Sequence, residues 1–181
     1  PDYAQPHNNL GSTLNRLNHP EEALSSYRRA ITLQPDYPEA HCNLGYALQE
    51  LGHLEEAYTS FQQSISLQPS FAQAHYNFGN LLTELGKPED AISSFREAVA
   101  IEPERADAHN NLGIALKEVG RLNEALVSLQ QALALRPDYP EAHYNRGLTF
   151  EELEELSCAI TSYTEAIRCR PDYPDAHNNL G

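Results

Sequence analysis

Six asparagine residues recur at intervals of 34 residues along the 181-residue chain. They are Asn9, Asn43, Asn77, Asn111, Asn145 and Asn179. A side-chain amide both donates and accepts hydrogen bonds, so it can pair with the backbone of another polypeptide whatever side chains that polypeptide carries. Asparagine is also a poorer helix former than alanine, by roughly half a kcal/mol per residue. Its regular return therefore indicates a role in hydrogen bonding.

No residue pattern in the sequence points to catalysis. There is no nucleophile elbow, no phosphate-binding loop and no pair of histidines at metal-binding spacing. Histidine also recurs every 34 residues, at His7, His41, His75, His109, His143 and His177. This spacing predicts one packed histidine per structural layer. We therefore expect no catalytic residue, no metal and no cofactor in this chain, while a catalytic domain elsewhere in a longer protein stays open.

The charge balance narrows the class of partner. The formal net charge is -14, with 26 acidic against 12 basic residues. Such a surface repels the phosphates of nucleic acids and of anionic membranes, so neither is expected as a partner. Three cysteines without a CxxC pair predict free thiols in a reducing compartment, and no apolar run is long enough to span a bilayer. A cytoplasmic location is the expectation.

The 34-residue spacing extends to whole segments. The hexapeptide Ala108–Gly113 returns unchanged at Ala176–Gly181, and a fixed period of this length is typical of a repeat solenoid. We place a single array over residues 1–181, with units at 4–37, 38–71, 72–105, 106–139 and 140–173 and the start of a sixth unit at 174–181. Because the chain begins at the end of one unit and stops inside another, we expect it to be a fragment of a longer array.

Each unit is predicted to form two helices joined by a tight turn. In the second unit the helices run from about Ala40 to Leu51 and from about Leu54 to Leu67, and Gly52 caps the first of them in a left-handed conformation. Asn18 and Glu154 replace this glycine in the first and fifth units. Glutamate adopts that conformation only at a cost, so the turn of the fifth unit should be altered or strained.

Helical periodicity separates a packed side of each helix from an open side. The packed stripe of the first helix in the second unit consists of His41, Leu44, Gly45 and Leu48. Ala57 and Phe61 form the matching stripe of the second helix. In the fifth unit Arg146 replaces the large apolar residue beside the glycine, so its guanidinium must extend to solvent or find a partner.

These features resemble the tetratricopeptide repeat (TPR) family. The 34-residue period, the Leu44-Gly45 pair and the later Ala57, Phe61 and Pro69 fall where the signature of that family places them, although histidine stands where the family often has tryptophan. The resemblance implies an all-α fold, an α-solenoid of tandem helix-turn-helix units that form a right-handed superhelix with the first helices lining a concave groove. It also implies a protein-binding scaffold without catalytic activity.

The six asparagines lie nearly opposite the packed stripe, and the resemblance places that side in the groove. The other residues expected there are Tyr46, Asn80, Glu50, Glu84, Glu118 and Glu152. Packed helices stand about 8–10 Å apart and an extended peptide advances about 3.3 Å per residue, so one asparagine would meet every third peptide residue. This ladder is similar to that in the TPR region of O-linked GlcNAc transferase.

The sequence leaves several interpretations open. The asparagines could bond to the neighbouring first helix instead of a peptide, and the two roles are compatible. The glutamates favour an extended, neutral to basic protein or peptide ligand, or else they form a solvated charged rim. The chain is interpreted as a protein-interaction scaffold. The alternatives are the substrate-recognition arm of a larger glycosyltransferase and an array that self-associates head to tail.

Overall fold

The computed structural model describes residues 3–180, and over that range it contains only helices, turns and short connecting segments. The predicted ends of the array at Pro1, Asp2 and Gly181 lie outside the described residues. The chain divides after Gly86 into two compact units. The helices of the first unit are α1 (Ala4–Arg16), α2 (Pro20–Leu33), α3 (Pro38–Glu50), α4 (Leu54–Leu67) and α5 (Ala72–Glu84). Those of the second are α6 (Pro88–Ile101), α7 (Ala106–Glu118), α8 (Leu122–Leu135), α9 (Pro140–Glu152), α10 (Leu156–Cys169) and α11 (Pro174–Leu180). The expected all-α architecture of helical hairpins is confirmed.

Proline and acidic residues account for many of the helix starts. Proline opens α2, α3, α6 and α9, where its fixed φ suits a helix and its missing N–H costs nothing. Glu55 and Glu56 occupy the first turn of α4, where negative charge interacts favourably with the helix dipole. Because proline is the first helical residue, α3 begins at Pro38, two residues earlier than predicted.

The two helices of a hairpin are joined by one recurring turn. After α3 the backbone N–H groups of Gly52 and His53 donate to carbonyls in the last turn of the helix, both at 2.9 Å. This pair of hydrogen bonds is a Schellman motif, which needs a left-handed residue just past the helix. Gly52 has φ 77°, and Asn18 and Glu154 adopt the same conformation with φ 63° and 60°. The fifth turn is therefore strained rather than rebuilt.

Close packing inside the α1–α2 and α3–α4 hairpins depends on a glycine of the first helix. A Cβ atom placed on Gly45 would lie 2.9 Å from ring atoms of Phe61, and one on Gly11 would lie 2.6 Å from the ring of Tyr27. Both rings are buried. The aromatic side chain of the second helix therefore occupies the space that a larger residue on the first helix would take, and the two helices approach closely.

The periodic histidines attach the first helices to the loops before them. The Nε2–H groups of five histidines donate to the carbonyl of the proline six residues earlier, at 2.8–2.9 Å. These histidines are His41, His75, His109, His143 and His177. The bond to a carbonyl fixes the proton on Nε2, because a carbonyl oxygen only accepts. In this conformation these five histidines are structural.

Arg146 has a hydrogen-bond partner inside the fifth hairpin, which is one of the two outcomes that the sequence predicted for a guanidinium at this position. Its Nε donates to the hydroxyl oxygen of Ser162 at 3.1 Å. The side chain is half-buried, and this burial lowers the pKa of the guanidinium below its ordinary value, although not enough to remove the charge. The hydrogen bond thus compensates part of the cost of placing a charge where the other hairpins have an apolar side chain.

Replacing Glu154 with glycine should stabilise the second unit. Glycine adopts φ near 60° without the steric cost that glutamate incurs there, which we put at about 1 kcal/mol. The matched control is Gly120→Glu, which places glutamate in the equivalent turn of the preceding hairpin at φ 74° and should destabilise by about the same amount. Urea unfolding measures both changes in the free energy of unfolding. If both substitutions changed it in the same direction, the backbone at Glu154 would not be strained.

The stability of the second unit should fall as the pH drops below about 6.5, in part because of His143. Burial lowers the pKa of this histidine from its ordinary value, and the nearby positive charge of Arg146 acts in the same direction. The unfolded chain therefore binds a proton at a higher pH than the folded one, and the free energy of unfolding decreases as the pH falls through this range. In the variant His143→Gln the difference in unfolding free energy between about pH 7.5 and pH 5.5 should be smaller than in the wild type. An unchanged difference would refute the prediction.

Candidate functional site

The first helices lie side by side within each unit. In the first unit α3 contacts both α1 and α5, and in the second unit α7 contacts α9. In each unit, the sides of these helices that carry the periodic asparagines form what we call the first-helix face of that unit. Hydrogen bonds between side chains 35 residues apart connect neighbouring helices across it.

Two of the predicted asparagines make the same contact, one in each unit. Nδ2 of Asn43 donates to Oδ1 of Asn8 at 3.0 Å, and Nδ2 of Asn145 donates to Oδ1 of Asn110 at 3.0 Å. Asn8 and Asn110 are buried, whereas Asn43 and Asn145 are half-buried. The amide therefore does bond to the neighbouring first helix, as one of the two interpretations of the sequence required.

The remaining asparagines are placed differently. Asn77 is buried, and its amide donates to the sulfur of Cys42 at 3.5 Å and accepts from Gln73 at 2.7 Å. Oδ1 of Asn111 accepts from the amide of Asn110 at 3.1 Å. Asn9 and Asn179 are exposed, on α1 and α11. The six asparagines are thus equivalent in sequence but not in hydrogen bonding.

The predicted glutamates lie at the ends of the first helices, and most of them accept hydrogen bonds there. Glu50 accepts from Asn15 at 3.0 Å, and Glu84 accepts from Gln49 at 2.8 Å. In the second unit Lys117 forms a 3.0 Å ion pair with Glu152. The donor in each case stands 35 residues before the acceptor. These carboxylates therefore have a structural role that the sequence analysis did not foresee.

Tyr46 and Asn80 share one register position on α3 and α5. Tyr46 is 43% exposed, and its hydroxyl donates to Glu50 at 2.8 Å. This hydrogen bond, together with partial burial, raises the pKa of Tyr46 above its ordinary value. Asn80 is half-buried. Tyr46 thus presents an aromatic ring with a fixed hydroxyl on the first-helix face of the first unit.

Asn8 and Asn110 were not among the predicted binding residues, although the sequence carries a signal for their contacts. Each stands 35 residues before a periodic asparagine, one residue more than the repeat length. In adjacent parallel helices of a repeat array, that offset marks residues on facing sides. A search for polar pairs at the repeat length plus one would have found both contacts.

Two other kinds of site are a metal centre and a membrane-spanning helix, and the described part of the chain has the residues for neither. Between residues 3 and 180 no cluster of three or more histidine, cysteine or acidic side chains is arranged to hold a metal ion. No helix in that range has the length and apolar character needed to cross a membrane. All three cysteines are free thiols.

The helical hairpins and their packed first helices define a helical-repeat protein. The sequence profile of the TPR repeat matches residues 16–52, 79–120, 116–154 and 152–181. Two further profiles of the tetratricopeptide repeat match residues 38–71 and 60–93. The chain belongs to the TPR family, and the resemblance noted from the sequence is confirmed. No curated protein matches the sequence significantly.

Solved structures with the same fold are numerous. YrrB, described as a TPR protein with an unusual peptide-binding site, is 25% identical, with a TM-score of 0.84 over 98% of this chain and 91% of its own. MamA from Desulfovibrio magneticus RS-1 is 25% identical, with a TM-score of 0.85 over 93% of this chain and 95% of its own. PilF of Pseudomonas aeruginosa, at 19% identity and a TM-score of 0.86 over 96% of this chain and 79% of its own, supports the fold alone.

Proposed function

We propose that this protein is a non-catalytic scaffold in which each unit binds an extended segment of a partner protein on its own first-helix face, through the amide of Asn43 in the first unit and the amide of Asn145 in the second. TPR proteins generally act as scaffolds that bind proteins or peptides. The proposal adds the binding face, the residues and the mode of recognition, which is hydrogen bonding to the backbone of the partner.

The observation that carries the proposal is the unused capacity of these two amides. Each side chain spends one N–H on the neighbouring helix. An asparagine amide has a second N–H and a carbonyl oxygen. Within residues 3–180 these remaining groups have no hydrogen-bond partner, and the two carbonyl oxygens are not among the polar atoms sealed from solvent. Asn43 and Asn145 can therefore hold the helices together and still offer a donor and an acceptor.

Anchoring by the neighbouring helix favours binding. The bond to Asn8 or Asn110 fixes the orientation of each amide before a ligand arrives. A fixed side chain loses less conformational entropy when it binds than a mobile one does. The hydrogen bond within the protein and the bond to a peptide are therefore complementary roles of one side chain.

Recognition through the backbone N–H and C=O groups of a ligand favours an extended peptide and places few requirements on its sequence. Backbone N–H and C=O groups occur at every residue of a peptide except proline, which lacks the N–H, so one amide can pair with most sequences. YrrB, which shares the fold at 25% identity, is described as having a peptide-binding site. The net charge of -14 supports a neutral to basic segment as the ligand.

The test compares each proposed binding residue with its own structural partner. Asn43→Ala removes the hydrogen bond to Asn8 and the amide offered to a peptide. Asn8→Ala removes the same internal bond but keeps that amide, so both variants should lose about 0.5–1.5 kcal/mol of unfolding free energy. Asn145→Ala and Asn110→Ala form a second matched pair in the other unit.

Binding is measured on an array of random-sequence dodecapeptides, acetylated and amidated at their ends. Asn43→Ala and Asn145→Ala should weaken binding by about fivefold or more, the value of one or two hydrogen bonds, and the loss should extend across most bound sequences. Asn8→Ala and Asn110→Ala keep the amide and lose only its anchor, so they should lose clearly less affinity than their partner variants. Equal losses within each pair would show that the asparagines serve the fold alone.

A further inference from the structure

One of the four periodic glutamates differs from the others in its partners. Glu50, Glu84 and Glu152 each accept a hydrogen bond from the preceding first helix. Glu118 stands at the same position of α7, is exposed, and has no hydrogen-bond or ion-pair partner among residues 3–180. Its negative charge is therefore uncompensated by any side chain of the described chain.

An apolar residue lies between Glu118 and the periodic asparagine of the same helix. Asn111, Ile114 and Glu118 occur at i, i+3 and i+7 of α7, so they form one stripe along it. Ile114 is partly exposed. The stripe therefore presents an amide, an apolar surface and a free carboxylate in that order.

The neighbouring helix α9 repeats the stripe with one change. Asn145, Leu148 and Glu152 take the same three positions, and Leu148 is partly exposed. The charge of Glu152 is compensated by its ion pair with Lys117. This second stripe therefore offers an amide and an apolar surface without a free charge.

We propose that α7 binds a lysine or arginine side chain of the partner segment and that α9 binds an apolar side chain about three residues away. This specificity rests on the proposed function, because Asn145 holds the backbone of the same segment. The methylene stem of the basic side chain lies on Ile114, and its charged end pairs with Glu118.

Distances along the helices agree with this assignment. Asn111 and Glu118 are seven residues apart, which is about 10 Å along a helix. Long basic side chains cover such apolar stretches with their stems while their charged ends reach polar partners. Adjacent first helices are about 8–10 Å apart, which an extended peptide spans in about three residues.

The probes are synthetic nonapeptides of glycine and serine, acetylated and amidated, that carry one lysine and one leucine three residues apart. Both orders are made, because the structure does not fix the direction of the chain. Counterparts carry glutamine or glutamate in place of the lysine. Affinities are measured by fluorescence anisotropy at low and at physiological salt, since an exposed ion pair weakens as salt increases.

The wild type should bind the lysine peptide of one order about two- to fivefold more tightly than its glutamine counterpart, the range for an exposed ion pair. Glu118→Gln should abolish this preference and its salt dependence. Glu118→Lys should reverse it in favour of the glutamate peptide. The matched control Glu84→Gln removes the same charge from a carboxylate that already has a partner, and it should keep the preference.

Two results would overturn the specificity. One is a lysine preference that survives Glu118→Gln, and the other is an equal loss in Glu118→Gln and Glu84→Gln. Failure of the proposed function is a separate outcome, because the glutamine peptide lacks the charge and reports backbone binding alone. If its affinity is the same in Asn145→Ala and in the wild type, the backbone mode is wrong whatever Glu118 does.

Discussion

A hydrogen bond between side chains 35 residues apart joins neighbouring first helices in each unit, and the candidate site depends on it. The bond from Asn43 to Asn8 and the bond from Asn145 to Asn110 have the same atoms and the same 3.0 Å length. Each bond needs the first helices to lie side by side, and close packing within the hairpins, set by residues such as Gly45 against Phe61, supports that arrangement. Packing and polar contacts thus position the same amides.

Buried polar pairing also explains why asparagine, a residue with modest helix propensity, stands at positions 43 and 145. Burying Asn8 or Asn110 without a partner would cost about 1–3 kcal/mol, more than the propensity that alanine would gain. Asn43 and Asn145 supply that hydrogen bond with one N–H each and keep their second N–H and their carbonyl oxygen. What is left over is available to a ligand, so stability and recognition do not compete for the same atoms.

Variation among the repeats then decides which groups are available. Asn77 spends both of its polar atoms on Gln73 and Cys42, whereas Asn43 spends one. Glu118 has no hydrogen-bond or ion-pair partner among residues 3–180, whereas Glu152 is paired with Lys117. Repeats that look alike in sequence therefore offer different chemistry on the first-helix face.

The fold could be predicted from the sequence because its determinants are local and repeated. The 34-residue period, the turn glycines and the stop at proline each act within a few residues, and the strained turn at Glu154 followed from the same reasoning. The pairing of the asparagines could not be decided in this way. It depends on the lateral offset of neighbouring helices, which shifts the contact to 35 residues, and on whether Cys42 or an asparagine stands at the facing position.

The side-chain amide protons of Asn43 and Asn145 test the central claim most directly, by nuclear magnetic resonance in the presence and absence of a bound peptide. The account predicts two unlike protons on each Nδ2. One, bonded to Asn8 or Asn110, should exchange slowly with water and change little. The other should exchange quickly in the free protein and shift on addition of peptide. The account would be contradicted if both protons of each amide exchanged slowly and did not shift on addition of peptide. It would also be contradicted if only residues on other surfaces shifted.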